Sequence, residues 1–109
     1  MKQAVLILML LLGSQAYAAP APHHCSTDAV ERAKKLLELH FGVDDRIEIN
    51  PSVALQKPLK NPAQKSQIFD VLEVWGNIYK GQYRMRFVYA REHKECVLMG
   101  QEILEYAKL

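Results

Sequence analysis

Two cysteines constrain this chain more than any other feature of its sequence. Cys25 lies near the beginning of the predicted folded part, Cys96 lies near its end, and only one intramolecular pairing exists. A bond between them would close the loop from residue 25 to residue 96. Closing so long a loop restricts the unfolded chain and stabilises the fold by up to about 4 kcal/mol in the chain-entropy model. The pair lacks Cys-x-x-Cys spacing, so the sequence predicts a structural disulfide rather than redox-active or metal-binding thiols.

A disulfide needs an oxidising compartment, and the first residues of the chain predict export to one. Lys2 precedes an apolar run over residues 4–12, and an Ala-Tyr-Ala segment ends at Ala18. Residues 1–18 are therefore predicted to be a secretory signal peptide that is cleaved after Ala18. The run is shorter than the roughly 20 residues that cross a bilayer, so no stable membrane anchor is predicted. The short signal indicates a bacterial protein, periplasmic or secreted.

Length and charge limit the function classes. The chain has 109 residues and a formal net charge of +2. This length predicts one domain, with residues 19–25 as a short leader and residues 26–109 as a single α+β domain. The small net charge provides no basic excess that would attract nucleic acid or an anionic membrane surface.

The segment after the leader has the spacing of an amphipathic helix. Ser26, Thr27 and Asp28 offer side chains for the N-cap, and Gly42 is a typical helix stop. Between them, apolar positions recur at i, i+3, i+4 and i+7 spacing. The predicted apolar face consists of Ala29, Val30, Ala33, Leu36, Leu37, His40 and Phe41.

Four antiparallel strands are predicted to follow this helix. The first covers residues 47–55, where Pro51 indicates a sheet edge or a bend. Residues 57–67 are predicted to form a polar loop, long enough to be mobile or to contact a partner. Residues 68–79 and 82–90 are rich in β-branched and aromatic side chains, which favours two long strands.

The turns between the last three strands set the predicted register. A two-residue turn at Lys80-Gly81 pairs Gly76 with Met85. A four-residue turn at 91–94 then starts the fourth strand and leaves the tail, residues 102–109, open to strand or helix. In this register Cys96 faces Tyr89, Leu98 faces Phe87 and Gly100 faces Met85. The predicted fold class is α+β, with one N-terminal amphipathic helix on a four-stranded α-β-β-β-β meander and one disulfide.

No catalytic constellation, cofactor motif or metal site is predicted. The sequence has no Gly-x-Ser-x-Gly elbow, Gly-rich phosphate loop or His-Glu-x-x-His helix. His40 with Asp44 and Asp45 could form a metal site, but the two aspartates after Gly42 are better explained as turn residues. The chain is therefore predicted not to be an enzyme.

The sheet face turned away from the helix is the predicted interaction surface. Its side chains are of types enriched at interfaces, and a solvated polar sheet is the plainer interpretation of the same residues. A different protein and a second copy of the chain are equally compatible with it. The predicted partner-binding residues are Glu73, Trp75, Tyr79, Arg84, Arg86 and Met99.

A small-ligand site is the alternative hypothesis. It places a pocket between helix and sheet, lined by His40, Gly76, Met85 and Gly100. The two hypotheses differ in which face of the sheet carries function, so the register decides which residues each one requires.

Overall fold

A computed structural model describes residues 22–108, with side chains described as far as residue 106. It confirms the predicted α+β class, but the sheet has five strands rather than the predicted four, because the segment predicted as a loop contributes to a strand pair. The predicted signal peptide, its cleavage site and residues 19–21 of the predicted leader lie outside these residues. Within them, no helix is long and apolar enough to cross a membrane. The elements are α1 (Ser26–Phe41), β1 (Ile47–Ile49), β2 (Ala54–Asn61), β3 (Gln64–Ile78), β4 (Gly81–Ala90) and β5 (Leu98–Lys108).

The sheet is antiparallel, in the order β1-β3-β4-β5, and β2 also pairs with β3. Because β4 occupies one edge of β3, the short β1 and the longer β2 share the other edge. Asn50 leaves β1 while its N–H still donates to the carbonyl of Trp75 at 2.9 Å, and the Asn50 side chain accepts the N–H of Ser52. The predicted single strand over residues 47–55 is therefore two strands, which follow one another along the same edge of β3 and are interrupted at residues 50–53.

The predicted polar loop over residues 57–67 is wrong. These residues form the β2–β3 hairpin, whose turn is stabilised by Asn61 accepting the N–H of Ala63 at 2.9 Å. Pro58 lies where the β2–β3 register shifts, because proline cannot donate a hydrogen bond to the neighbouring strand. Most side chains of β2 are exposed, so the hairpin lacks the apolar alternation by which strands are recognised in sequence.

Helix α1 packs on one face of the sheet through Ala29, Ala33, Leu36 and Leu37, which are buried as predicted. The predicted end at Gly42 is confirmed: this residue has φ 84° and donates its N–H to the carbonyl of Glu38. The predicted apolar face also included His40 and Phe41, which are exposed. The ring of Phe41 nevertheless contacts that of Tyr83, with centroids 4.9 Å apart.

The predicted N-cap of α1 is also wrong. Cys25 occupies the cap position and makes no side-chain cap hydrogen bond. Asp28 lies in the first turn instead, where its carboxylate accepts hydrogen bonds from Arg32 at 2.6 Å and Tyr89 at 2.7 Å.

The β3–β4 register differs from the predicted one by two residues. The turn is Tyr79-Lys80, with Tyr79 at φ 54°, and Gly76 pairs with Tyr83 rather than Met85. Gly81 belongs to β4, where a Cβ atom would lie 2.7 Å from the hydroxyl of Tyr83. A shift by an even number leaves every side chain on its predicted face.

The β4–β5 prediction is wrong in the residues of the connection and in the sheet face on which the side chains of β5 lie. The connection runs over residues 91–97, and Tyr89 pairs with Leu98 instead of Cys96. A bulge follows, so Gly100 pairs with Val88 on the face opposite α1 rather than with Met85. The ambiguous tail continues β5 as a strand.

The core lies between α1 and the facing side of the sheet. Its largest fully buried side chains include Leu37, Phe87 and Tyr89. A Cβ atom on Gly76 would lie 3.0 Å from side-chain carbons of both Leu37 and Ile49, so glycine permits the close approach of helix and sheet.

The predicted Cys25–Cys96 disulfide is confirmed, with a Cα–Cα distance of 5.6 Å. It joins the residue before α1 to the connection that leads into β5. The covalent bond thereby fixes the start of the helix against the entry to β5.

Candidate interaction surface

The outer face is the side of the sheet turned away from α1. Successive side chains of a strand point to opposite sides of the sheet. Leu72, Val74 and Phe87 point into the core, so the residues next to them in sequence lie on the outer face. Its residues on the three long strands include Val71, Glu73, Trp75, Asn77, Gln82, Arg84, Arg86, Val88, Glu102, Leu104 and Tyr106.

A buried carboxylate lies at the centre of the outer face. Glu73 is 8% exposed, and its side chain accepts hydrogen bonds from Arg86 Nε at 2.9 Å and Trp75 Nε1 at 3.0 Å. Arg84 Nε lies 3.8 Å from the same carboxylate. A buried charge requires such partners, so Glu73 holds Trp75 and Arg86 by hydrogen bonds and attracts Arg84 by charge.

An aromatic patch adjoins this network. Trp75 meets Tyr106 edge to face, with ring centroids 5.0 Å apart. Tyr106 is 62% exposed and Leu104 is 47% exposed. Large apolar and aromatic side chains that stay exposed beside a fixed tryptophan and arginine are typical of an interface anchor.

A groove crosses the outer face from β2 to β5. Its volume is about 400 Å³, within the range of natural ligand sites. The apolar side chains Leu59, Val71 and Val88 lie between polar ones contributed by both edges of the sheet. The lining residues are Gln56, Lys57, Leu59, Val71, Arg86, Val88, Gln101 and Glu102.

The structure brings together part of the predicted partner-binding set. Glu73, Arg84, Arg86 and Trp75 form the network described above, although the pairs across β3 and β4 differ from those predicted. Tyr79 and Met99 lie apart from it, in the β3–β4 turn and near the start of β5 respectively, and both are more than half exposed.

Sequence reasoning missed Leu104, Tyr106 and the groove. The signal available for the first two was the length of β4, whose ten residues need an equally long partner strand continuing past Gly100. The groove has no comparable signal in the sequence. It depends on β2, most of whose residues the sequence predicts to be a loop.

The alternative pocket residues are not brought together. His40 is exposed beyond the core, and Gly76 and Met85 lie within it, Met85 being fully buried. Gly100 lies on the other side of the sheet. These four residues therefore do not line a common cavity between helix and sheet.

A second polar cluster anchors the end of the predicted leader. His23 Nε2 lies 2.9 Å from Asp70 Oδ2, and Arg91 donates to the other oxygen at 2.8 Å. His23 Nδ1 accepts the backbone N–H of Cys25 at 3.0 Å. Both ring nitrogens of His23 are thus engaged in holding the chain beside the disulfide.

These contacts argue against a metal site at His23, His24 and Cys25. Among the residues that the structure describes, ligand atoms of His23, His24 and Cys25 lie within 4.8 Å of one another. The Cys25 sulfur is in the disulfide, and both nitrogens of His23 have other partners. In the other possible metal site, His40 with Asp44 and Asp45, the carboxylate of Asp44 is hydrogen-bonded to Arg46. This bond lowers the pKa of Asp44 to about 2.

Besides Asp44, two carboxyl groups that pack within the folded domain have a lowered pKa. Burial alone would raise the pKa of Asp70, but hydrogen bonds from His23 and Arg91 outweigh it and hold that pKa below its ordinary value. The pKa of Asp28 is likewise lowered, since Arg32 and Tyr89 outweigh burial. Burial, together with Asp28, raises the pKa of Tyr89, so its hydroxyl remains a donor.

We expect the free energy of unfolding to fall as the pH drops below about 4. A carboxyl group whose pKa is lower in the folded chain than in the unfolded chain stabilises the fold above the unfolded value of about 3.9, and this contribution disappears as the pH falls through the folded value. Asp70→Asn removes one such group. In urea unfolding measured from neutral to acid pH, the free energy of unfolding of this variant should therefore fall less steeply than that of the parent protein. A pH dependence equal to that of the parent protein would contradict this assignment.

Comparison with protein families, with characterised proteins and with solved structures gave no match.

Proposed function

We propose that the protein is a small exported, non-enzymatic interaction module that binds a protein partner, or a second copy of itself, through the outer face. Inhibitors, immunity proteins and accessory proteins are of this type. The observation that carries the proposal is the exposed pair Leu104 and Tyr106 beside a Trp75 that is fixed by Glu73.

The energetics of this surface favour recognition. Trp75 and Arg86 are already held by hydrogen bonds to Glu73, so they have little side-chain entropy left to lose on binding. Aromatic and arginine side chains also dominate the binding energy of measured interfaces. The outer face therefore offers anchors that are both chemically suitable and pre-ordered.

The disulfide supports export. A Cys25–Cys96 bond is consistent with a periplasmic or extracellular location, where such bonds persist. The predicted signal peptide at residues 1–18 would deliver the chain there.

The non-enzymatic part of the proposal rests on how the candidate acid–base groups are used. A general base needs a free position toward substrate, whereas His23, Asp70 and Asp28 are hydrogen-bonded within the fold. Their partners are Arg32, Tyr89, Arg91 and the backbone N–H of Cys25, so these groups support the fold rather than an open site.

The experiment is capture of the partner from an envelope extract of the source cells with the tagged mature protein. Leu104→Ala with Tyr106→Ala should reduce the captured partner about tenfold or more, since truncation of interface anchors costs about 2 kcal/mol or more. Val43→Ala, which removes an exposed side chain after α1, is the matched control and should capture as the parent does. Equal capture by all three proteins would refute the outer face as the binding surface.

A small-ligand function has one observation in its favour, the volume of the groove. A ligand held there would appear as added mass in native mass spectrometry of the purified protein, and Val88→Trp should displace it by filling the groove. Bound ligand together with unchanged capture by the Leu104 and Tyr106 variant would favour this function over partner binding.

A further inference from the structure

The groove on the outer face follows a row of paired residues that crosses the sheet from β2 to β5. Gln56 pairs with Val71, which in turn pairs with Val88. Val88 pairs with Gly100 on β5. Neighbouring strands lie about 4.8 Å apart, so this row spans about 14 Å from one edge of the sheet to the other. Residues of all four strands line the groove, and its length therefore suits an extended chain.

Gly100 leaves the β5 end of this row without a side chain. Its φ is not positive, so the bulge beside it does not need glycine for its backbone conformation. Among the described residues, an added Cβ atom would come within 4 Å of a single atom, the Cβ of Val88 at 4.0 Å. At Gly76 and Gly81, by contrast, an added Cβ would lie 3.0 Å or less from neighbouring side chains.

The space above Gly100 is an observation independent of the volume of the groove. Glycine in the interior of a strand weakens that strand and often marks a place where a ligand approaches closely. Packing within the described domain gives no reason for glycine at this position, whereas an occupied groove does. Gly100 lies opposite Val88 and next to Gln101, both of which line the groove.

The middle of the groove is apolar. Leu59, Val71 and Val88 lie on three neighbouring strands, and half of the Leu59 side chain remains exposed. Each methylene group that a ligand buries against such a surface raises its affinity roughly fourfold. A hydrocarbon chain therefore gains more from this surface than a polar chain of the same length.

The two ends of the groove differ in charge. At the β5 end, Glu102 lies 3.8 Å from Arg84, and deeper in the sheet Arg86 donates a hydrogen bond to Glu73. These two acid–base pairs cancel in net charge. Lys57, on β2, makes no ion pair with any residue that the structure describes. The remaining positive charge lies at the β2 end, so an acidic group is favoured there and disfavoured beside Glu102.

We propose that the groove binds a single-chain carboxylate amphiphile, such as a free fatty acid, with its carboxylate beside Lys57 and its hydrocarbon chain running over Val88 toward Gly100. The apolar row accounts for the chain, the charge at one end accounts for the carboxylate, and the absent side chain at the other end leaves room for the tail. This inference rests on the small-ligand function and names its ligand class. It does not depend on partner capture through Leu104 and Tyr106.

The test is an NMR titration of the ¹⁵N-labelled protein with decanoic acid below its micelle concentration. Decyltrimethylammonium, which has the same chain and a positive head, is the matched ligand. We expect saturable amide shifts at Lys57, Val88 and Gly100, and weaker binding of the cationic amphiphile. Lys57→Gln should weaken binding of decanoic acid roughly threefold, the size of an exposed charge interaction, and should remove the preference between the two amphiphiles.

Gly100→Val is the variant that separates binding from folding. Its side chain fills the β5 end of the groove, so decanoic acid should bind about tenfold or more weakly, the equivalent of losing contact with about two methylene groups. Valine favours strands, and the free energy of unfolding should therefore be unchanged or higher. Asn77→Val places the same side chain on an exposed outer-face position away from the groove and should bind as the parent protein does.

Three results would overturn the proposal. The first is absence of saturable binding or binding unaffected by Gly100→Val, which would show that the groove does not hold the chain. The second is equal affinity of the parent protein for the two amphiphiles, which would remove the role of Lys57. The third is a set of shifts confined to Trp75 and Tyr106, which would place the amphiphile on the aromatic patch. Each of these would leave partner capture through the outer face standing as a separate proposal.

Discussion

Replacing both Cys25 and Cys96 by alanine is expected to lower the free energy of unfolding by about 2–5 kcal/mol. The bond closes a loop of sequence separation 71 and holds the start of α1 against the entry to β5. Its removal restores conformational freedom mainly to the unfolded chain. In a domain of this size the loss is a large share of a total stability of roughly 5–15 kcal/mol.

Urea unfolding of the parent protein and the double variant, each with and without reductant, measures this effect. Reductant should destabilise the parent and leave the variant unchanged, which separates loss of the bond from any effect of the new side chains. Equal midpoints for parent and variant under oxidising conditions would show that the disulfide contributes little to stability.

The second large effect is expected at the centre of the helix–sheet contact. Leu37 is fully buried and lies against the position where Gly76 has no side chain. Leu37→Ala leaves a cavity that the rigid backbone at Gly76 cannot fill, and we expect a loss of about 2–5 kcal/mol. Urea unfolding monitored by circular dichroism provides the measurement.

Leu39 offers a matched control two positions along the same helix. It is 77% exposed, so Leu39→Ala removes the same atoms without leaving a buried cavity. This variant should change the free energy of unfolding by no more than about 0.5 kcal/mol. Similar losses for the two variants would contradict the packing of α1 on the sheet.

The helix and the disulfide could be predicted because their signals are local or unique. The apolar spacing of α1 ends at Gly42, whose positive φ matches a helix stop. Cys25 and Cys96 had no other possible partners in the chain. Neither prediction depended on the way in which the strands pair.

Strand registers could not be predicted, because each depends on which residues make the turn. The sequence offers Lys80-Gly81 as a turn, yet Tyr79 adopts the left-handed conformation and Gly81 lies beneath the ring of Tyr83. The observed β3–β4 register differs from the predicted one by two residues. Because this is an even number, the positions of Glu73 and Trp75 on the outer face were predicted correctly. The β4–β5 error included a bulge and therefore also changed faces.

The candidate site was only partly predictable for the same reason. Glu73, Trp75, Arg84 and Arg86 lie on β3 and β4, where alternation sufficed. Tyr106 required the full length of β5, and the groove required β2 at the other edge of the sheet. Contacts between strands that are distant in sequence leave no periodic trace in either segment.

The outer face is tested most directly by placing a photo-cross-linking amino acid at position 106 in one variant and at position 43 in another. Both native side chains are exposed, Tyr106 on the outer face and Val43 just after α1. After irradiation in the source cells, position 106 should give a specific adduct with a partner or a second copy, and position 43 should give none. An adduct at position 43 alone, or equal adducts at both positions, would contradict the outer face as the working surface.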